Sequence, residues 1–138
     1  MKVLVIQGAG MELRGKVDVE IFGPETLDEI NARIEADANA LGVAVDIRQS
    51  NDEAEVAAWI QDAAGEIDAL IINPSGFTTA EGPLIDALRG VSVPVVEVHA
   101  SNPSARGVRS TVTPVCKGAV CGFGYDGYRV ALGGLRDA

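Results

Sequence analysis

Short runs rich in β-branched residues recur along the chain, each separated from the next by a segment with helical spacing, and this alternation limits the possible folds more than any other feature. The runs are Val3-Leu4-Val5-Ile6, Val43–Ile47, Ala69–Ile72 and Val93–Val98. They are too short for buried helices and read as strands covered on both faces. A fifth strand is expected near Val115 to Val120. The first intervening helix opens at Thr26, where Glu29 completes a capping box, buries Leu27, Ile30, Ile34 and Leu41, and ends at Gly42. A second is expected from Ser50/Asn51 to Gly65, burying Val56, Trp59, Ile60 and Ala63. A third follows Thr78, with Glu81 as its box partner and Leu84, Ile85 and Leu88 facing inward, and a C-terminal helix contains Tyr128, Val130 and Leu135.

Strand and helix in alternation imply a parallel sheet with helices on both faces, because right-handed crossovers place them there. The expected fold is therefore α/β: a flavodoxin-like, doubly wound, five-stranded parallel sheet in three α/β/α layers, with residues 1–138 forming one domain. Ligands of such sheets bind beyond the carboxyl ends of the strands, which directs attention to the loops that begin at Gln7, Asn73 and His99.

Several function classes are set aside by composition. The formal charge of −9, with no Lys/Arg cluster, would repel a phosphate backbone, so nucleic acid is not an expected partner, whereas a few local donors could still hold a small anion. The opening MKVLVIQG meets Gly8 too soon for a signal-peptide core, and no later run approaches the roughly 18 apolar residues of a membrane span. A cytoplasmic protein without membrane contact is expected. Cys116 and Cys121 lack the spacing of a zinc pair and the chain has 1 histidine, so no metal site is expected and both cysteines read as reduced core residues.

Chemistry gathers where the strands end. Gly8-Ala9-Gly10 lacks both the third glycine of a dinucleotide fingerprint and the lysine of a P-loop, and reads as a plain turn. Asn73 closes the third strand, where its amide could tie down a loop or donate to a ligand. Glu97 and His99 are two residues apart and share one side of a strand. A carboxylate beside an imidazole orients it and favours its protonated form, as a general acid or base requires; a histidine merely closing a strand end is the structural alternative. Backbone N–H groups at Ser101 and Asn102 could bind a carboxylate, and Arg106 and Arg109 follow in the next polar loop, where simple solvation would also account for them.

These residues carry a resemblance. Ser50-Asn51, Ile72-Asn73-Pro74, Pro94–His99 with Ser101-Asn102, and Gly118–Gly122 followed by Gly124-Tyr125-Asp126-Gly127-Tyr128 make the chain similar, over nearly its whole length, to the type II 3-dehydroquinate dehydratases. The resemblance implies a subunit of a homo-oligomer, a trimer or dodecamer, that acts without cofactor on a cyclic hydroxy-keto carboxylate of the shikimate or quinate pathway. It implies His99 as general acid for the departing hydroxyl and Glu97 as its orienter. Asn73, Ser101 and Asn102 would be substrate and carboxylate contacts, Arg109 a hydroxyl contact, and Asp86 a residue reaching a neighbouring subunit's site.

The pattern also departs from the family. Gly10 stands where the family has Asn, Val17 where it has Arg, Phe22 where it has the catalytic Tyr, and Thr79 where it has His. In the family that tyrosinate removes the proton beside the ketone and the arginine favours its charged form. Three readings follow: a diverged enzyme in which His99 and Glu97 act on a small carboxylated substrate, with Glu12 or water as the second group; a 3-dehydroquinate dehydratase with a weakened base; or a non-catalytic metabolite-binding or scaffold homologue.

Overall fold

A computed structural model describes all residues from Met1 to Ala138. Its strands are β1 (Lys2–Ala9), β2 (Ala44–Gln49), β3 (Ala69–Ser75), β4 (Val95–His99) and β5 (Gly118–Cys121). They form one sheet in the order β2-β1-β3-β4-β5, with every neighbouring pair parallel. This is the flavodoxin-like order expected from the alternation of elements. The helices are α1 (Val19–Phe22), α2 (Leu27–Ala40), α3 (Glu53–Ala63), α4 (Pro83–Gly90) and α5 (Gly127–Arg136).

The two-residue period of each strand divides the interior into two layers. Val3, Val5 and Ile71 pack with Ile30 and Ile34 of α2 and Tyr128 and Leu132 of α5, while Leu4, Ile6, Leu70 and Ile72 pack with Val56 and Ile60 of α3 and Leu84 and Leu88 of α4. The same parity sets the polar residues at the strand ends. Gln7 and Asn73 continue the α2/α5 side, whereas Glu97 and His99 share the side of Val95, toward α3 and α4.

The capping box at Thr26 and Glu29 forms as expected. Other boundaries differ for identifiable reasons. Helix α3 is capped by Asp52, whose carboxylate accepts from the backbone of Ala54 and Glu55, because Ser50 and Asn51 are engaged elsewhere. The Thr78/Glu81 box does not form: Thr78 donates to the Ser75 carbonyl in a turn, α4 starts at Pro83, and Glu53 of α3 accepts from Leu84 N at 3.0 Å in place of a local cap. Strand β4 begins after Pro94, and β5 only at Gly118, because Thr113–Val115 make a turn that carries Thr113 to Glu97. Val130 lies on the exposed side of α5, and Trp59 is half-buried under Arg48.

Candidate active site

At the carboxyl ends of β1, β3 and β4, a cavity of about 280 Å³ is lined by Arg14, Phe22, Asn73, Ser75, Thr78, His99, Ser101 and Arg106 among others. It includes the point between β1 and β3 where the strand order switches from one side of the sheet to the other, the usual crevice of an open parallel sheet. Gly8 permits this arrangement, since a Cβ there would lie 2.0 Å from the Pro74 carbonyl oxygen. The glycine is required by the approach of two strand ends: Gly8 and Ala9 belong to β1 rather than to a turn, and the chain turns only at Gly10.

His99 and Glu97 are both buried, and the imidazole Nε2 lies 2.7 Å from Glu97 Oε2. Nδ1 makes no hydrogen bond within the protein. An isolated carboxylate this deep would be costly. Burial raises the Glu97 pKa, but hydrogen bonds from His99, Ser110 and Thr113 outweigh it and hold the group below the ordinary carboxylate range. Ser110 Oγ donates to Oε2 at 2.6 Å and Thr113 Oγ1 donates to Oε1. Glu97 is thereby charged and fixed by three side chains.

A pH dependence of stability follows. A folded-state pKa below the unfolded one contributes stability that is complete above the ordinary carboxylate pKa of about 4.3 and disappears as pH falls through the folded value. Urea midpoints measured at pH ~7 and ~3 should therefore fall more steeply for the wild type than for Glu97→Gln. Parallel declines would contradict this account of the carboxylate.

Asn73 faces the cavity with its amide already engaged: Nδ2 donates to the Tyr128 hydroxyl at 2.9 Å, which donates to Gln7 Oε1 at 2.6 Å, and Gln7 Nε2 donates to Asn31 Oδ1 at 3.1 Å. Burial drives the Tyr128 pKa strongly upward, so this phenol stays neutral. The backbone N–H groups of Ser101 and Asn102 donate to no group within the chain, and Arg106 Nη1 donates to Ser101 Oγ at 2.6 Å. Donors for a carboxylate are thus together at the end of β4.

Other expected positions lie elsewhere. Arg109 lines a separate, open depression with Ser110 and Thr113, and it is Arg106 that reaches the cavity. Glu12 does not enter it: its carboxylate accepts from Gln49 Nε2 at 2.9 Å. Asp86 is on the outer face of α4 with its side chain 78% exposed, 4.0 Å from Arg89. Val17 and Thr79 are exposed, whereas Phe22 forms part of the cavity wall. Gly10 has φ of 88° and its N–H donates to Asn51 Oδ1. Cys116 and Cys121 are free and half-buried, and burial pushes the Cys116 thiol up to about 12. Sequence reasoning missed Arg14, Ser75, Ser110 and Thr113.

Fold and site together define an open parallel α/β protein in which a histidine held by a buried carboxylate lines a cavity that also contains two arginines. Residues 1–136 match the family described as Dehydroquinase class II, and the chain belongs to that family. It is 42% identical to a 3-dehydroquinate dehydratase of Aeromonas hydrophila over 134 residues, covering 95% of this chain and 90% of the relative. It is 43% identical to 3-dehydroquinate dehydratase 2 of Pseudomonas aeruginosa over 133 residues, covering 94% and 90%. The crystal structure of type II dehydroquinase from Butyrivibrio crossotus superposes with a TM-score of 0.93 at 32% identity, covering 98% of this chain and 97% of that one. A 3-dehydroquinate dehydratase-like protein from Bifidobacterium longum gives 0.76 at 31% identity, covering 99% and 96%.

Proposed function

We propose that this chain is a hydro-lyase that removes water from a small, cyclic, hydroxy-keto carboxylate, with His99 as general acid and Glu97 holding its ring. The observation that carries the reading is the 2.7 Å His99–Glu97 contact at the wall of a cavity that also holds Arg106 and the free N–H groups of Ser101 and Asn102. The ligand's carboxylate would sit on those donors. Its hydroxyl would leave as water after taking a proton from His99, while the proton beside the ketone departs and a carbon–carbon double bond forms.

The acceptor of that second proton is the unusual part. The lining contains no Tyr, Lys, Asp or Glu, since Phe22 occupies the position of the family's tyrosine and Glu12 points elsewhere. Water is the remaining acceptor, and losing a positioned base typically costs about 10²- to 10⁴-fold. The identity to relatives named 3-dehydroquinate dehydratase favours 3-dehydroquinate as the substrate, turned over slowly. Asp86, exposed and outside the lining of its own cavity, fits a contact to a neighbouring subunit in a homo-oligomer.

Incubation with 3-dehydroquinate, followed by the ultraviolet absorbance of the conjugated ketone product, tests the reading. Slow, saturable turnover is expected. Tight binding with no turnover would instead make the chain a metabolite-binding homologue.

A further inference from the structure

The acid–base pair leaves one buried cation unexplained. Arg14 follows the short turn Met11–Leu13 after β1, its residue is only 7% exposed, and no carboxylate lies within ion-pair distance of it. Its guanidinium lies 3.9 Å from the centroid of the Phe22 ring, and Nη2 donates to Ser75 Oγ at 3.1 Å. Nε is buried with no hydrogen-bond partner. A ring face and the neutral hydroxyls of Ser75 and Tyr125 do not neutralise a charge, and burying a guanidinium without a carboxylate is unfavourable in the empty site. Ser75 is itself held at φ 49°, a left-handed conformation uncommon for serine, at the strand end where its hydroxyl meets Arg14. An unpaired cation and local strain at one wall of a cavity are the signature of a site preorganised for an anion.

We propose that Arg14 contacts the substrate: its guanidinium binds a second oxygen centre of the ligand, separate from the carboxylate taken by Arg106 and the Ser101–Asn102 backbone. The ligand class is then a small carboxylate bearing a ketone or hydroxyl oxygen that carries or gains negative charge. This rests on the hydro-lyase reading and extends it, because an oxygen that gains charge during proton removal profits most from a fixed guanidinium. Arg14 supplies that charge from the β1 turn, while Val17 supplies none. Burial raises the Tyr125 pKa, and the charge and hydrogen bonding of the neighbouring Arg14 act against it.

Two measurements test this, one of them without any ligand. A tyrosine introduced by Phe22→Tyr would face the guanidinium, so its titration, read by ultraviolet difference absorbance against the wild type, should fall about one unit or more below the ordinary value near 10. Adding Arg14→Gln should abolish that shift; equal titration with and without Arg14 would overturn the proposal. Calorimetric binding is then compared for 3-dehydroquinate and for cyclohexanecarboxylate, which keeps the carboxylate and lacks the other oxygens. Arg14→Gln should weaken 3-dehydroquinate about tenfold or more and leave cyclohexanecarboxylate unchanged, Arg14→Lys should recover part of the loss, and Arg106→Gln should weaken both. Equal losses for both compounds in Arg14→Gln would overturn the assignment. A wild type that binds neither compound removes the reading of the site and the ligand contact with it, whatever the titration shows.

Discussion

His99→Gln should lower turnover about 10²- to 10⁴-fold while leaving substrate affinity within a few-fold of the wild type. Glutamine is chosen because its amide can still donate to Glu97, so the buried carboxylate keeps a partner and the loss isolates proton transfer. His99→Ala would instead strip that donor from a fully buried acid and confuse chemistry with stability. Steady-state kinetics across pH, beside a thermal midpoint, checks the point. Undiminished turnover in a folded His99→Gln protein would remove the imidazole from the reaction.

The opposite change is expected at Phe22. A tyrosine there places a phenol in the cavity wall, and Phe22→Tyr should raise conversion of 3-dehydroquinate about 10²- to 10⁴-fold, the usual contribution of a positioned base. Most of the gain should appear in the single variant, because the guanidinium that favours a tyrosinate is already present at Arg14, 3.9 Å from the ring centroid. Val17 is 44% exposed and does not line the cavity, so adding Val17→Arg should contribute little. The comparison is one of kcat/KM for the wild type, the single and the double variant. A gain confined to the double variant would show that position 17 matters and that Arg14 does not substitute for it; no gain in either would mean that the cavity has lost its fit to 3-dehydroquinate.

The sheet could be read from the chain because the central strands β1 and β3 are covered on both faces, which leaves continuous apolar runs at Val3–Ile6 and Ala69–Ile72, while the half-buried edge strand β2 shows a run interrupted by Asp46. The Glu97/His99 pair was legible by the same logic, since the strand period alone puts them side by side. The supports of Glu97 were not. Ser110 and Thr113 lie in an irregular loop whose path depends on Thr111 donating to the Thr78 and Ala80 carbonyls, a contact between segments over thirty residues apart. Arg14 was hidden for a related reason: in Glu12-Leu13-Arg14-Gly15-Lys16 it reads as one more surface charge. It is buried because Gly15, at φ 79°, lets the chain pass the Pro24 carbonyl where a Cβ would come within 2.7 Å, and that passage brings Phe22 onto the guanidinium. The glycine was the available signal, but its partner lies nine residues on.

The hydrogen bonds that run from Asn31 through Gln7 and Tyr128 to Asn73 have two self-consistent directions, because each amide can rotate by half a turn and the phenol can donate either way. In one direction Asn73 gives a proton to Tyr128 and keeps its carbonyl for a guest; in the other it accepts from Tyr128 and offers its NH₂. Helix α2, through the single side chain of Asn31, therefore helps decide whether the floor of the cavity greets a visitor as acceptor or donor, although no atom of that helix lines it.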